Sequence, residues 1–140
     1  MVKDIEFFGA EGFGVSGKPT PLSPAVKAGD FLFVSGLIPR SQHGVILGGD
    51  EDVVEQTHVI MANMNSVLAL AGCDLSDVVK TNVYLRDPSD FAAFNDVYSS
   101  YFTGGNRPAR TCLQNDMLID IKVEIEAIAY CRRGDATLKT

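Results

Sequence analysis

The stretch from Arg107 to Tyr130 reads R-P-A-R-T-C-L-Q-N-D-M-L-I-D-I-K-V-E-I-E-A-I-A-Y, and its second half alternates between apolar and charged residues. Every second residue from Ile119 to Ala129 is apolar, and the positions between them include four charged side chains: Asp120, Lys122, Glu124 and Glu126. Side chains along a strand point alternately to its two faces. The pattern therefore predicts a long strand with one apolar face and one charged face.

A loop is predicted just before this strand, and it carries Arg107, Arg110 and Cys112. A guanidinium, a thiol and two carboxylates therefore lie close together in the sequence. This combination of residue types makes the segment the first candidate for a functional site.

The composition is that of a folded soluble domain, with 46% hydrophobic and 21% charged residues in a chain of 140. The net charge of -6 and the scarcity of clustered lysines and arginines argue against nucleic-acid binding, because phosphate affinity depends on neutralising cations. No segment approaches the ~18 apolar residues of a membrane-spanning helix. The acidic start M-V-K-D-I-E-F-F does not resemble a secretory signal. We therefore expect a cytoplasmic protein with neither membrane nor nucleic-acid partners.

Reduced thiols are expected for the three cysteines, which form no C-x-x-C pair: Cys73, Cys112 and Cys131. The two histidines and the scattered cysteines show no metal-ligand spacing, so we expect no metal. The glycine-rich segment from Gly9 to Gly14 lacks the Lys-Ser/Thr pair of a phosphate-binding loop and is interpreted as a flexible loop.

Two amphipathic helices are predicted. The first is capped by Asp52, has apolar residues at helical spacing, and ends at Gly72. The second is capped by Asp87 or Ser89, buries an aromatic face, and ends at the Gly104-Gly105 pair.

Besides the last strand, strands are predicted at Val2–Phe8, Ala25–Lys27, Phe31–Val34 and Val78–Leu85. The unbroken apolar run F-L-F-V at Phe31–Val34 is expected to be buried on both faces. The order of elements places two helices against one face of a sheet, which is an α+β arrangement. The other face would mix charged and apolar residues, so we expect association into a small closed ring with clefts between subunits.

The candidate residues admit functional and structural interpretations. Arg110 follows Pro108-Ala109, and a guanidinium on a stiffened segment can bind a carboxylate with two parallel hydrogen bonds, although it could equally be solvated. Glu124 and Glu126 could divide acid and base work, or could simply be solvated on an exposed face. Cys112 could be activated by the nearby cation, but no histidine is placed to assist it as a nucleophile.

Several motifs in the same order resemble the RidA (YjgF) family of enamine/imine deaminases. These are V-S-G-L-I-P from Val34, A-G-C at Cys73, K-T-N-V-Y-L from Lys80, D-F-A-A-F-N-D-V-Y from Asp90, and R-P-A-R-T-C followed by V-E-I-E-A-I-A. The similarity covers about residues 20 to 131. We therefore interpret residues 1–131 as one RidA-like domain and residues 132–140 as a polar tail.

The resemblance implies a chorismate-mutase-like α+β fold, with a mixed sheet and two helices on one of its faces. It also implies a homotrimer with sites between subunits and hydrolysis of 2-imino or 2-enamino acids to 2-keto acids and ammonia, without a metal or cofactor. In the family's pattern, Arg110 binds the substrate carboxylate and Glu124 holds the attacking water. The backbone carbonyl of Cys112 and the backbone at Gly36 complete the site.

The sequence departs from the family's pattern at two positions. Ala25 stands where the family commonly has a tyrosine, and Leu37 replaces a glutamine. Because both residues belong to the expected substrate pocket, they suggest a larger or different substrate. They also leave open a non-catalytic trimer that binds a small metabolite. Ribonuclease activity, a label often attached to this family, is disfavoured by the acidic charge.

Overall fold

The computed structural model describes residues 4–9 and 19–132 and contains a mixed sheet with two α-helices on one side. The element order confirms the predicted α+β class and the chorismate-mutase-like arrangement. The strands are β1 (Ile5–Phe8), β2 (Ala25–Ala28), β3 (Phe31–Leu37), β4 (Val78–Leu85), β5 (Ala109–Gln114) and β6 (Val123–Tyr130), and the helices are α1 (Val53–Leu70) and α2 (Phe91–Tyr101).

The sheet has the order β1-β2-β3-β6-β4-β5, so the last strand of the sequence lies near the middle. The β4–β5 pair is parallel and the other neighbouring pairs are antiparallel. The expected alternation of β6 is confirmed, because its apolar residues are buried under the helices: Val123, Ile125, Ala127 and Ala129. The opposite face of the sheet, which no element of the described chain covers, is called the open face below.

Helix α1 forms where its sequence predicts it. The Asp52 side chain accepts a hydrogen bond from the Val54 N–H and so satisfies one free donor of the first turn. Its buried face includes Ile60, Met64 and Leu68. Gly72 has a positive φ of 72°, which a residue without a side chain adopts at low cost as the helix ends.

Helix α2 also lies where it is predicted, but its ends differ. Asp87 caps a short 3-10 turn, Pro88–Asp90, rather than the helix itself, and α2 ends at Tyr101, before the two glycines. Strand β1 spans Ile5–Phe8. The predicted strand began at Val2, which lies outside the described residues, as do most of the Gly9–Gly14 segment and the tail beyond Arg132.

Two strand predictions were wrong. Arg110 and Cys112 lie in strand β5, not in a loop, and β6 begins at Val123 rather than at Ile119. The segment A-R-T-C-L-Q has no apolar alternation because β5 is an edge strand whose only strand partner in the described chain is β4. Such a strand is stabilised by its backbone ladder rather than by an apolar face.

The prediction that β3 is buried on both faces was also wrong. Leu32 and Val34 are buried under the helices, whereas Phe31 and Phe33 are 44% and 47% exposed on the open face. The apolar run therefore reflects two different surroundings: the core on one side and an uncovered apolar surface on the other.

The expectation of reduced thiols was wrong for two of the cysteines. Cys73, just after α1, and Cys131, just after β6, form a disulfide with their Cα atoms 6.0 Å apart. This separation is within the range that a disulfide requires. Cys112 is free. The two partners are 58 residues apart in sequence, so their meeting depends on how α1 packs against the sheet.

We predict that the disulfide contributes to stability by restricting the unfolded chain. For a separation of 58 residues, loop-closure entropy gives an upper value of about 4 kcal/mol. Urea unfolding with and without reductant should show this loss of free energy for the wild type. Cys73→Ala should be destabilised and insensitive to reductant, whereas Cys112→Ser should keep the dependence. Free thiols at both Cys73 and Cys131 in non-reducing peptide mapping would contradict the assignment.

Candidate active site

Arg110 is an anchored cation on the helix side of the sheet. It is paired in register with Thr81, which is fully buried there. Its Nη1 donates a hydrogen bond of 2.8 Å to the Asn95 side-chain oxygen, and its guanidinium carbon lies 4.8 Å from the centre of the Tyr98 ring. The hydrogen bond and the cation–π contact restrict the guanidinium to one orientation.

The charge of Arg110 is not neutralised by an acidic side chain. In residues 4–9 and 19–132, the ion pair found is that between Arg86 and Asp120, and no carboxylate lies within ion-pair distance of Arg110. Arg110 is partly exposed, and one of its five N–H donors is occupied by Asn95. The remaining donors can bind a carboxylate in the fork geometry typical of arginine.

Cys112 lies two residues beyond Arg110 on the same side of β5. Burial raises the pKa of the Cys112 thiol, and the nearby Arg110 charge only partly opposes this effect. A raised pKa leaves less thiolate near neutral pH, which weighs against Cys112 as a nucleophile.

Glu124 lies on β6, with its side chain on the open face. It is paired with Tyr84 on β4, and its carboxylate packs against the α-carbon of Gly36 on β3. A methyl group at position 36 would collide with the Glu124 Oε1, so the glycine is required for this close approach. Burial raises the pKa of the Glu124 carboxyl above its usual value, and the negative charge of Glu126 raises it further.

A cleft of about 260 Å³ opens beside Glu124. It is lined by Gly36, Tyr84, Glu124 and Glu126 and by residues 115–118, which connect β5 to the segment before β6. Glu126 accepts hydrogen bonds from the Tyr84 hydroxyl at 2.5 Å and from the Asn82 amide at 3.2 Å. A half-buried carboxylate therefore faces a cleft of small-molecule size.

Arg110 and Glu124 do not form one site within a single chain. Arg110 is in register with Thr81 on the helix side, whereas Glu124 is in register with Tyr84 on the open face. The structure brings Arg110 together with Cys112, and Glu124 together with Gly36. It therefore contains two half-sites on opposite faces of the sheet, which we call the arginine half-site and the glutamate half-site.

The two departures from the family's pattern lie outside the cleft. Ala25 is 1% exposed and opposes Val34 on the helix side of the sheet. Leu37 opposes Ile125 and packs against the core. Neither side chain is among the residues that line the cleft.

Two side chains that sequence reasoning did not assign to the site are prominent in it. Asn95 orients Arg110, and its signal in the sequence is only a polar residue beside the buried Phe94 of α2. Tyr84 lines the cleft, and the alternation of K-T-N-V-Y-L does place it on the same face as Asn82.

The open face carries several exposed apolar side chains. Phe31 and Tyr130 contact each other with ring centres 5.3 Å apart, and both are more than 40% exposed. The same face holds further exposed apolar side chains on β1, β3 and β5: Phe7, Phe33 and Leu113. Several exposed apolar side chains on one face of a sheet are characteristic of protein–protein contacts.

Residues 4–9 and 19–132 contain neither a metal-binding cluster nor a helix that could cross a membrane. No group of three or more histidine, cysteine, aspartate or glutamate side chains in these ranges is arranged to hold a metal ion. None of the helices there combines the length and apolarity needed to cross a lipid bilayer.

Comparison with known proteins identifies the family. The family model described as Endoribonuclease L-PSP matches residues 17–131. A RutC family protein of Pyrococcus horikoshii is 46% identical over 112 residues, which cover 79% of this chain and 86% of that protein. The 2-iminobutanoate/2-iminopropanoate deaminase of Salmonella typhimurium is 37% identical over 116 residues, covering 80% and 88% of the two chains.

A solved structure supports the same assignment. E. coli TdcF, whose crystal structure holds bound serine, aligns with a TM-score of 0.75 and 32% identity over 89% of this chain and 96% of the other. Several relatives carry names that describe deamination of reactive imine or enamine intermediates. This chain is a member of the RidA (YjgF) family, which includes these deaminases.

Proposed function

We propose that the protein is a hydrolytic deaminase that converts 2-imino or 2-enamino acids to 2-keto acids and ammonia. The observation that carries the proposal is the pair of half-sites. One presents an anchored guanidinium with no carboxylate partner in the described chain, and the other presents a half-buried carboxylate with a raised pKa. Together they match a substrate that has a carboxylate at one end and a hydrolysable C=N bond next to it.

In the proposed reaction, Arg110 binds the substrate carboxylate and so fixes the position of the adjacent iminium carbon. Glu124 takes a proton from a water molecule as the water oxygen bonds to that carbon, and the C=N electron pair moves onto nitrogen. Glu124 then returns the proton to the nitrogen. The C–N bond breaks and ammonia leaves while the Glu124 carboxylate takes the remaining hydroxyl proton and the carbonyl forms. The backbone carbonyl of Cys112 and the backbone of Gly36 are proposed to hold the substrate between them.

We further propose that each complete site lies between two copies of the chain in a homotrimer. The arginine half-site of one copy would face the glutamate half-site of the next, and a ring of three copies would contain three such sites. The exposed apolar side chains of the open face support this assembly, because they would be covered in it.

Single variants and their mixture test both proposals. Arg110→Ala should weaken substrate binding by about 10- to 100-fold, because a charge-assisted hydrogen bond is lost. Glu124→Gln should lower kcat by about 10²- to 10⁴-fold, because the base is lost. Ammonia release from 2-iminobutanoate generated in situ measures both effects.

Mixed trimers of the two variants then distinguish a shared site from a site within one chain. In a cyclic assembly refolded from equal amounts of both variants, about a quarter of the interfaces combine an intact Arg110 with an intact Glu124. We expect activity to recover toward that fraction of wild type. No recovery on mixing would contradict the shared site, and ligand binding without turnover by the wild type would instead favour a metabolite-binding role.

Gly36→Ala tests the packing of the glutamate half-site. The added methyl group must displace the Glu124 carboxylate, whose flexible side chain can move at little cost to the fold. We expect a change in unfolding free energy within about 1 kcal/mol and a loss of about 10²-fold in kcat, since small misplacements of a catalytic group have effects of that size. Gly105→Ala is the matched control, because no atom lies within 4 Å of the added methyl group there. Equal activities of the two variants would contradict the assigned role of Gly36.

The proposal also concerns the size of the substrate's side chain. Ala25 and Leu37 pack in or against the core and do not line the cleft, so the pocket depends instead on the residues that do line it, and two of these, Met117 and Leu118, are apolar. We propose that the protein prefers substrates with a larger or more apolar side chain than 2-iminopropanoate. A series of imino acids of increasing side-chain length should show kcat/KM rising with length. Turnover of the smallest imines at the rate of the Salmonella relative would contradict this preference.

A further inference from the structure

Glu124 and Glu126 lie two residues apart on one face of β6, yet their surroundings differ. Glu126 accepts hydrogen bonds from two donors, the Tyr84 hydroxyl and the Asn82 amide. Among residues 4–9 and 19–132, no hydrogen-bond donor reaches the Glu124 carboxylate. Donors stabilise the charged form of a carboxyl group, whereas burial without donors favours its neutral form.

We propose that Glu126 is a positioning residue that acts through Glu124 in the deamination reaction. Tyr84 and Asn82 hold Glu126 in place as a fixed negative charge, and this charge favours proton uptake by Glu124 when the water attacks. The inference rests on the proposed function, because it assigns to Glu124 the role of base. It changes the interpretation of Glu126 from a solvated or purely structural residue to one that tunes the reaction.

The arrangement gives each carboxylate a separate task. Strand rise places the two side chains about 7 Å apart, which is close enough for their charges to interact in a half-buried cleft. Burial raises the pKa of Glu124, and the negative charge of Glu126 raises it further. The hydrogen bond to Glu126 raises the pKa of the Tyr84 hydroxyl, so that Tyr84 stays protonated as a donor.

The other charged groups around Glu124 do not replace this effect. The cleft loop contributes Asp116, and β4 contributes Tyr84, which is paired with Glu124. Lys122 immediately precedes β6, and the Nζ of Lys80 near the start of β4 donates to the Thr111 hydroxyl on β5. The facing residue of β3 is Gly36, which has no side chain. The charge that raises the pKa of Glu124 is that of Glu126, after burial itself.

Glu126→Gln tests the proposal, because it removes the charge while keeping an oxygen that can accept from Tyr84. A base must be unprotonated to act, so kcat/KM rises with pH through the pKa of Glu124. Removing the negative charge of Glu126 should lower the pKa of Glu124. The rising limb of the plot of kcat/KM against pH should therefore move to lower pH by about one unit. Glu55→Gln, which removes an exposed charge on α1 across the sheet, is the matched control and should leave the limb unchanged.

A second readout does not depend on turnover. Carboxyl ¹³C NMR of the full-length protein labelled in glutamate, with the Glu124 signal assigned by its loss in Glu124→Gln, follows the protonation of Glu124 directly. The same acid shift of about one unit is expected in Glu126→Gln and none in Glu55→Gln. If the titration midpoint of Glu124 were unchanged in Glu126→Gln, the proposed coupling between the two carboxylates would be wrong. A shifted midpoint with an unmoved kcat/KM limb would overturn its role in the reaction, and a wild type that turns over no imine would show that the proposed function itself is wrong.

Discussion

The structure depends on the pairing of β6 between β3 and β4. Because this strand lies inside the sheet and alternates strictly, its apolar residues are buried in the core on the helix side while Glu124 and Glu126 remain on the opposite face. Slipping the register by one residue would bury the carboxylates and expose the core positions, which a half-buried sheet does not tolerate. One periodic segment thus determines both where the core forms and where the candidate catalytic groups lie.

The chemistry of the site follows from small local features of the neighbouring elements. The absence of a side chain at Gly36 allows the Glu124 carboxylate to pack against β3 in a half-buried position. On the other side of the sheet, α2 supplies Asn95 and Tyr98, which orient the Arg110 guanidinium. Each half-site is therefore pre-organised by contacts within one chain, although each presents only half of what the proposed reaction requires.

Family membership and the geometry of the site contribute different parts of the functional conclusion. The matches to the family model and to deaminases establish the family of the chain, and the model match over residues 17–131 spans Arg110, Cys112 and Glu124. The structure adds the placement of these residues, which neither the motifs nor the names of the relatives specify. Arg110 lies on β5 on the helix side of the sheet, whereas Glu124 lies on β6 on the open face. We therefore propose that they act together across a subunit boundary and not within one chain.

Several features could be determined from the sequence alone because they depend on local periodicity. The apolar spacing and the Asp52 cap predicted α1, the alternation of V-V-K-T-N-V-Y-L predicted β4, and that of V-E-I-E-A-I-A predicted both faces of β6. The motif residues Arg110 and Glu124 were also identifiable.

Features that depend on contacts distant in the sequence could not be predicted from it. Strand β5 is an edge strand with no apolar pattern, the Cys73–Cys131 disulfide joins segments 58 residues apart, and only the sheet register places Arg110 and Glu124 on opposite faces. Tertiary structure decided these because side-chain periodicity records which face of an element is buried but not which element lies beside it.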